Sequence, residues 1–170
     1  MPLFLEVKQD GLYSWNGEHT MPHNPRPRKQ TKQLGRMTNL QHPDTLHLQA
    51  AVGWLELGDH LEANEELEKI TASLRAHPDV LMVRWLIYAK AEQWEGAFEI
   101  ARALVEMVPE FPTGWIYQAE ALRRMPGQGV KGTWAALLPA ADKFPKESAI
   151  LYNLACYFCL MGRLADALKW

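Results

Sequence analysis

The sequence predicts an all-α protein: a solenoid of antiparallel helix pairs, about three and a half repeats long, behind an irregular N-terminal arm. Three observations carry this. Residues of like size recur at a fixed period from Asp44 to the last residue. Each period divides into two stretches with the 3.6-residue spacing of an apolar helix face. Proline and glycine stand at the joints between stretches, where a helix has to stop.

The arm comes first. Residues 1–43 hold Pro2, Pro22, Pro25, Pro27 and Pro43 and show little sustained periodicity. Leu3 to Val7 and Leu12 to Trp15 flank Asp10-Gly11, the pattern of a small hairpin, although an isolated two-stranded hairpin is marginal in water. From His19 to Pro43 there is no acidic residue, while Arg26, Arg28, Lys29, Lys32 and Arg36 are all basic. The arm therefore carries a net +3, which leaves −5 for residues 44–170 of an overall −2.

The repeats follow, with expected bounds of about 44–77, 78–111, 112–147 and a partial 148–170. Ala63, Ala97, Thr133 and Ala167 fall 34, 36 and 34 residues apart. Trp54, Tyr88, Leu122 and Phe158 form a second column, Ala51, Trp85, Ala119 and Ala155 a third, and His47, Leu81, Trp115 and Leu151 a fourth. The two extra residues fall between Leu122 and Thr133, where MPGQGVKG reads as a lengthened turn. A period of this size is the signature of stacked supersecondary units that bury a shared core.

Within a unit the first helix is expected over Asp44 to Leu57 or Ser148 to Met161, and the second over Leu61 to Ala76 or Glu95 to Val108. Asp44 and Asp79, each after a proline, are the expected N-caps, since a short carboxylate accepts from orphan first-turn N–H groups. Gly58 and Gly162 suit the left-handed residue that ends a helix. Pro109 and Pro145 break the chain before the next unit. The small column at Ala63, Ala97 and Ala167 marks close helix crossings, and Leu67, Ile70, Leu104 and Leu137 are spaced to fill the interior. Trp85, bulky in an alanine column, predicts rearranged packing between the first two units.

These columns resemble the tetratricopeptide repeat family, whose period carries a large residue, L-G, an aromatic, a small residue, an aromatic and a proline. The last unit matches best, through Leu154-Ala155, Phe158, Gly162 and Ala167. The first supplies Ala51, Trp54, Gly58 and Ala63, the second Trp85, Tyr88, Ala97 and Pro109, the third Trp115, Ala119, Leu122 and Pro145. Departures are Glu92 where the glycine belongs, Pro126 and Thr133. The resemblance covers roughly 44–170 and implies a right-handed superhelix whose first helices line a concave face.

Composition excludes several classes. The chain is 48% hydrophobic and 22% charged, which suits a globular core rather than wholesale disorder. The longest nearly apolar stretch, Ala149 to Gly162, is shorter than the roughly 20 residues a membrane helix needs. Two cysteines make no disulfide scaffold, so a reducing, cytoplasmic setting is expected. Cys156 and Cys159 form a C-x-x-C, but zinc needs four ligands and no second pair exists. They read as small apolar packing inside LACYFCLMG. The six histidines make no H-E-x-x-H, and PGQGVKGT lacks phosphate-loop spacing. No cofactor or metal is expected, and no nucleophile, base and oxyanion donor converge as an enzyme requires.

By the resemblance, the concave face takes Leu48, Val52 and Leu55 from the first unit and Met82, Leu86 and Lys90 from the second. The third gives Ile116, Glu120, Arg123 and Arg124, and the fourth Tyr152, Asn153 and Cys156. The N-terminal half of that face is apolar, and exposed apolar patches mark binding sites. Some family members hold a C-terminal carboxylate there with Lys and Asn; Leu48 and Val52 occupy the place where such a clamp begins, which argues against that ligand. The expected function is a non-catalytic scaffold that takes a segment of a partner protein in this groove. The alternatives are association with nucleic acid or an acidic partner through the basic arm, and a groove filled by the chain's own residues 1–40. Five charges without interleaved aromatics make nucleic acid the lesser expectation. The open C-terminal end, with Leu164 and Leu168, also predicts self-association or a longer natural chain.

Overall fold

The computed structural model describes residues 40–170. The readings made for the arm, including the hairpin and the basic run, lie outside these residues. Among the described residues the protein is all-helical, 75% helix with no strand. Eight α-helices run in order: α1 (Asp44–Glu56), α2 (His60–Lys69), α3 (Pro78–Lys90), α4 (Trp94–Met107), α5 (Pro112–Arg124), α6 (Gly129–Lys143), α7 (Ser148–Leu160) and α8 (Leu164–Ala167). Each helix packs on the next, and α1 also touches α3, α3 touches α5, and α5 touches α7. The expected pairs and their boundaries hold to within a residue or two, with one exception.

That exception is α2, which ends at Lys69 rather than near Ala76, and a short 3-10 turn over Ala72–Leu74 follows. Ile70 leaves the helix with φ −63° and ψ 139°. The chain there is captured by Asp44, whose carboxylate accepts from both the backbone and the hydroxyl of Thr71. Asp44 therefore does not cap its own helix; Pro43 stands at that position and offers no side-chain bond. Asp79 is not a cap either. It lies inside α3, and His77 does the capping, its Nδ1 accepting from the Asp79 N–H at 3.2 Å. The carboxylate that caps by its side chain is Asp59, which accepts from Leu61 and Glu62 at 3.1 Å each.

The helix ends follow the sequence more closely. Gly58 and Gly162 take φ +87° and +74°, the left-handed conformation that costs least without a Cβ. Glu92, at the matching place after α3, takes φ 56° with a side chain attached.

Among the described residues the interior comprises three clusters. The first joins α1, α2 and α3 through Ala51, Ala63, Leu67, Ile70, Val80, Val83 and Ile87. The second, between α3, α4 and α5, is built on Trp85, Ala97, Ala101 and Ala121, with Tyr88, Trp94, Phe98 and Tyr117 packed against it. The third gathers Ala119, Leu137, Ala140, Ile150, Leu154 and Tyr157 from α5, α6 and α7. Leu67, Ile70, Leu104 and Leu137 are buried as their spacing predicts, as are Ala63, Ala97 and Ala167. Thr133 fits the small column because its hydroxyl donates to the Gly129 carbonyl at 3.2 Å, so the extra oxygen is itself paired.

Trp85 corrects one expectation. Its ring stacks on Tyr117 with centroids 3.8 Å apart and planes 8° from parallel. Trp85 thus packs in the cluster shared by the second and third units rather than in the one shared by the first and second. Tyr117, three residues into the third unit's helix beyond Gly114, supplies the flat partner that the alanine column elsewhere lacks.

Candidate functional site

The thirteen residues assigned to the concave face all lie on the first helices, α1, α3, α5 and α7, and their exposure sorts them into three kinds. Val52, Leu86 and Tyr152 are exposed at 38%, 41% and 53%, high values for large apolar or aromatic side chains. Val52 and Leu86 are 34 residues apart and occupy the same place on α1 and α3, two helices in contact. Together they make the apolar surface of this face.

A second kind is recessed. Leu48 and Leu55 are half-buried and pack against the first cluster, and Ile116 packs against the third. These side chains brace the face more than they present it. Met82 and Cys156 are half-buried as well. Asn153 uses its amide within its own helix, donating from Nδ2 to the Ala149 carbonyl at 2.7 Å.

The third kind is ionic. Glu120 sits at the end of α5 between two arginines on the same helix. Arg123 reaches it through Nε at 2.9 Å and Nη2 at 2.7 Å, and Arg124 through Nε at 3.1 Å. Three- and four-residue spacing places all three on one helix face. The Arg124 guanidinium also lies over the Trp94 ring, 5.3 Å from its centroid, so the cluster reaches across to the start of α4. Lys90 ends α3 and is exposed, and Glu92 and Glu95 are exposed close by in sequence. In the third unit Arg123 and Arg124 therefore share the Glu120 carboxylate.

Sequence reasoning missed the Trp85–Tyr117 stack between two of these helices. Burial raises the Tyr117 hydroxyl above the usual phenol range, because the phenolate would lose its hydration there. A signal existed: Trp85 breaks the alanine column, and an aromatic stands 32 positions on. Leu57 and Leu61, at the α1–α2 turn, are also strongly exposed and were not singled out.

Among the described residues no group of three or more His, Cys, Asp or Glu could hold a metal ion, and no helix is long and apolar enough to cross a membrane. What the face offers is apolar area bordered by ion-paired arginines. Neither a protein-family model nor a curated protein matches the chain.

Proposed function

We propose that the chain is a tetratricopeptide-like scaffold: a right-handed solenoid that binds a segment of a partner protein along the face of its first helices, without catalysis. The single observation that carries this reading is the repeated exposure of Val52 and Leu86 at equivalent places on touching helices. An apolar side chain left in water forgoes roughly 1.5–3 kcal/mol of burial, so a row of them is a surface suited to a partner. The row of contacts α1–α3–α5–α7 supports the solenoid half of the reading, since in such folds each unit touches its neighbours.

The test uses two baits, the wild-type chain and a Val52→Glu, Leu86→Glu double variant. Both side chains are exposed, so the double variant keeps its core; Leu48 is avoided because it braces the first cluster. A protein recovered by the wild type and lost with the double variant supports the groove. Equal recovery of every protein by both baits overturns it. An experimental structure whose successive pairs do not superpose by one right-handed rotation would remove the family reading.

A further inference from the structure

Cys156, one of the residues assigned to the groove face, and Cys159 lie on the same helix as the sequence suggested, but the structure leaves the pair less buried than apolar packing requires. Both are free thiols; Cys159 is exposed and Cys156 half-buried, so the pair is not core packing. They lie one turn apart on α7, in a stripe that begins at the exposed Tyr152. At this spacing the two Cβ atoms of a regular helix are about 5–6 Å apart.

That separation discriminates between two fates of a dithiol. A disulfide needs Cβ atoms about 3.5–4.5 Å apart, closer than an unbent helix allows. An atom that bridges two sulfurs at bonds of roughly 2.3 Å spans about 4–4.6 Å between them. Two thiols leaning toward each other from neighbouring turns can meet that span while the helix stays regular. The pair suits a bridging ion better than a direct S–S bond.

We propose that Cys156 and Cys159 form a two-coordinate dithiolate site for a soft monovalent cation, copper(I). The ligand set decides the ion. Structural zinc and iron–sulfur centres take four protein ligands, and no third His, Cys, Asp or Glu joins these two among the described residues. Calcium and magnesium take oxygen ligands, which the pair lacks. Thiolates select soft ions, and copper(I) is the soft ion that remains once the four-ligand centres are set aside. Each sulfur releases its proton as it bonds the metal; copper stays at +1, no electron moves, and the complex carries one net negative charge. The site does not depend on the groove having a partner.

The experiment titrates the reduced full-length chain, without oxygen, into the coloured complex of copper(I) with bicinchoninate. The wild type withdraws one copper per chain and elutes at the same volume as the metal-free chain. Cys156→Ser and Cys159→Ser each withdraw at least tenfold less at equal chain concentration, with helical circular dichroism unchanged. X-ray absorption of the loaded chain finds sulfur neighbours and no nitrogen. If a serine variant loses its helical signal, wild-type chain capped at both thiols with iodoacetamide replaces it. No bleaching by the wild type, bleaching retained by the variants or the capped chain, or copper-dependent dimerisation each overturns the proposal. So does retention of one zinc per chain under the same conditions.

Discussion

Asp44 holds Thr71 with both carboxylate oxygens: Oδ1 accepts the backbone N–H at 2.7 Å, and Oδ2 accepts the hydroxyl at 3.1 Å. Asp44 is only 7% exposed, so these bonds are made largely out of water. They tie the first residue of α1 to the chain just beyond α2 and close the first helix pair into a loop. Hydrogen bonds to a charged acceptor contribute about 1.5–3 kcal/mol, and Asp44→Ala is expected to cost that much. Asp44→Asn, which keeps one acceptor oxygen, costs less. Urea unfolding checks both, with the midpoint lowered and the slope unchanged. An alanine variant as stable as the wild type would remove the clamp.

Gly96 makes room for Tyr88. A Cβ on Gly96 would stand 2.6 Å from Tyr88 Cδ2 and 2.7 Å from Cε2, well inside contact distance, so the ring or the backbone has to shift. Gly96→Ala is therefore expected to destabilise by about 1–3 kcal/mol despite alanine's better helix propensity. Tyr88→Leu in the same chain should recover part of that loss, so the two substitutions are non-additive. A stabilised Gly96→Ala chain would show that the ring shifts freely.

Glu92→Gly is the opposite case. Glu92 holds φ 56°, a conformation that costs a side-chain-bearing residue about 1–2 kcal/mol, partly offset by glycine's larger unfolded-chain entropy. A net gain of roughly 0.5–1 kcal/mol is expected from thermal unfolding. A loss would mean that the Glu92 side chain contributes more than the backbone conformation costs.

How much of this was legible in the sequence depended on distance along the chain. The helix bounds, apart from the end of α2, and the buried leucines follow from local spacing, and they hold. Asp44 looked like a cap because Pro43 precedes it; its partner lies 27 residues away, which no local pattern reveals. His77 caps α3 instead of Asp79 because the helix begins at Pro78, two residues earlier than the acid suggested. Trp85 was recognisably out of place, but only contacts show that it stacks on the following unit. On the first helices burial divides Leu48 and Leu55 from Val52 and Leu86. That division depends on how deeply neighbouring helices nest, and an 11–18-residue window carries no such information.

Acid should weaken the first helix pair through Glu66. Lys69 Nζ donates to its carboxylate at 2.7 Å and His47 Nδ1 lies 2.8 Å from it. The Lys69 bond first, then the His47 bond, hold this carboxyl below the usual range, against some desolvation. In the unfolded chain Glu66 titrates near pH ~4.3. A carboxylate whose native pKa is depressed stabilises the fold above the unfolded value, and this is lost as pH falls through the native one. The stability difference between the wild type and Glu66→Gln is thus expected to shrink over the acid window below the unfolded value of about pH 4.3. A difference that stays constant across that window would show the carboxylate to be uncoupled from folding.

The interior is split among three clusters, and only some side chains link one to the next. Tyr88 packs against both the first and the second, and α5 carries Ala121 into the second and Ala119 into the third. Mechanical load along the chain therefore meets junctions in series, each with its own strength. Pulled from its ends, such a chain yields stepwise, and a force trace would record separate rips. The Trp85–Tyr117 stack, with centroids 3.8 Å apart, belongs to the middle junction, so the rip at that point would be the one that exposes both rings.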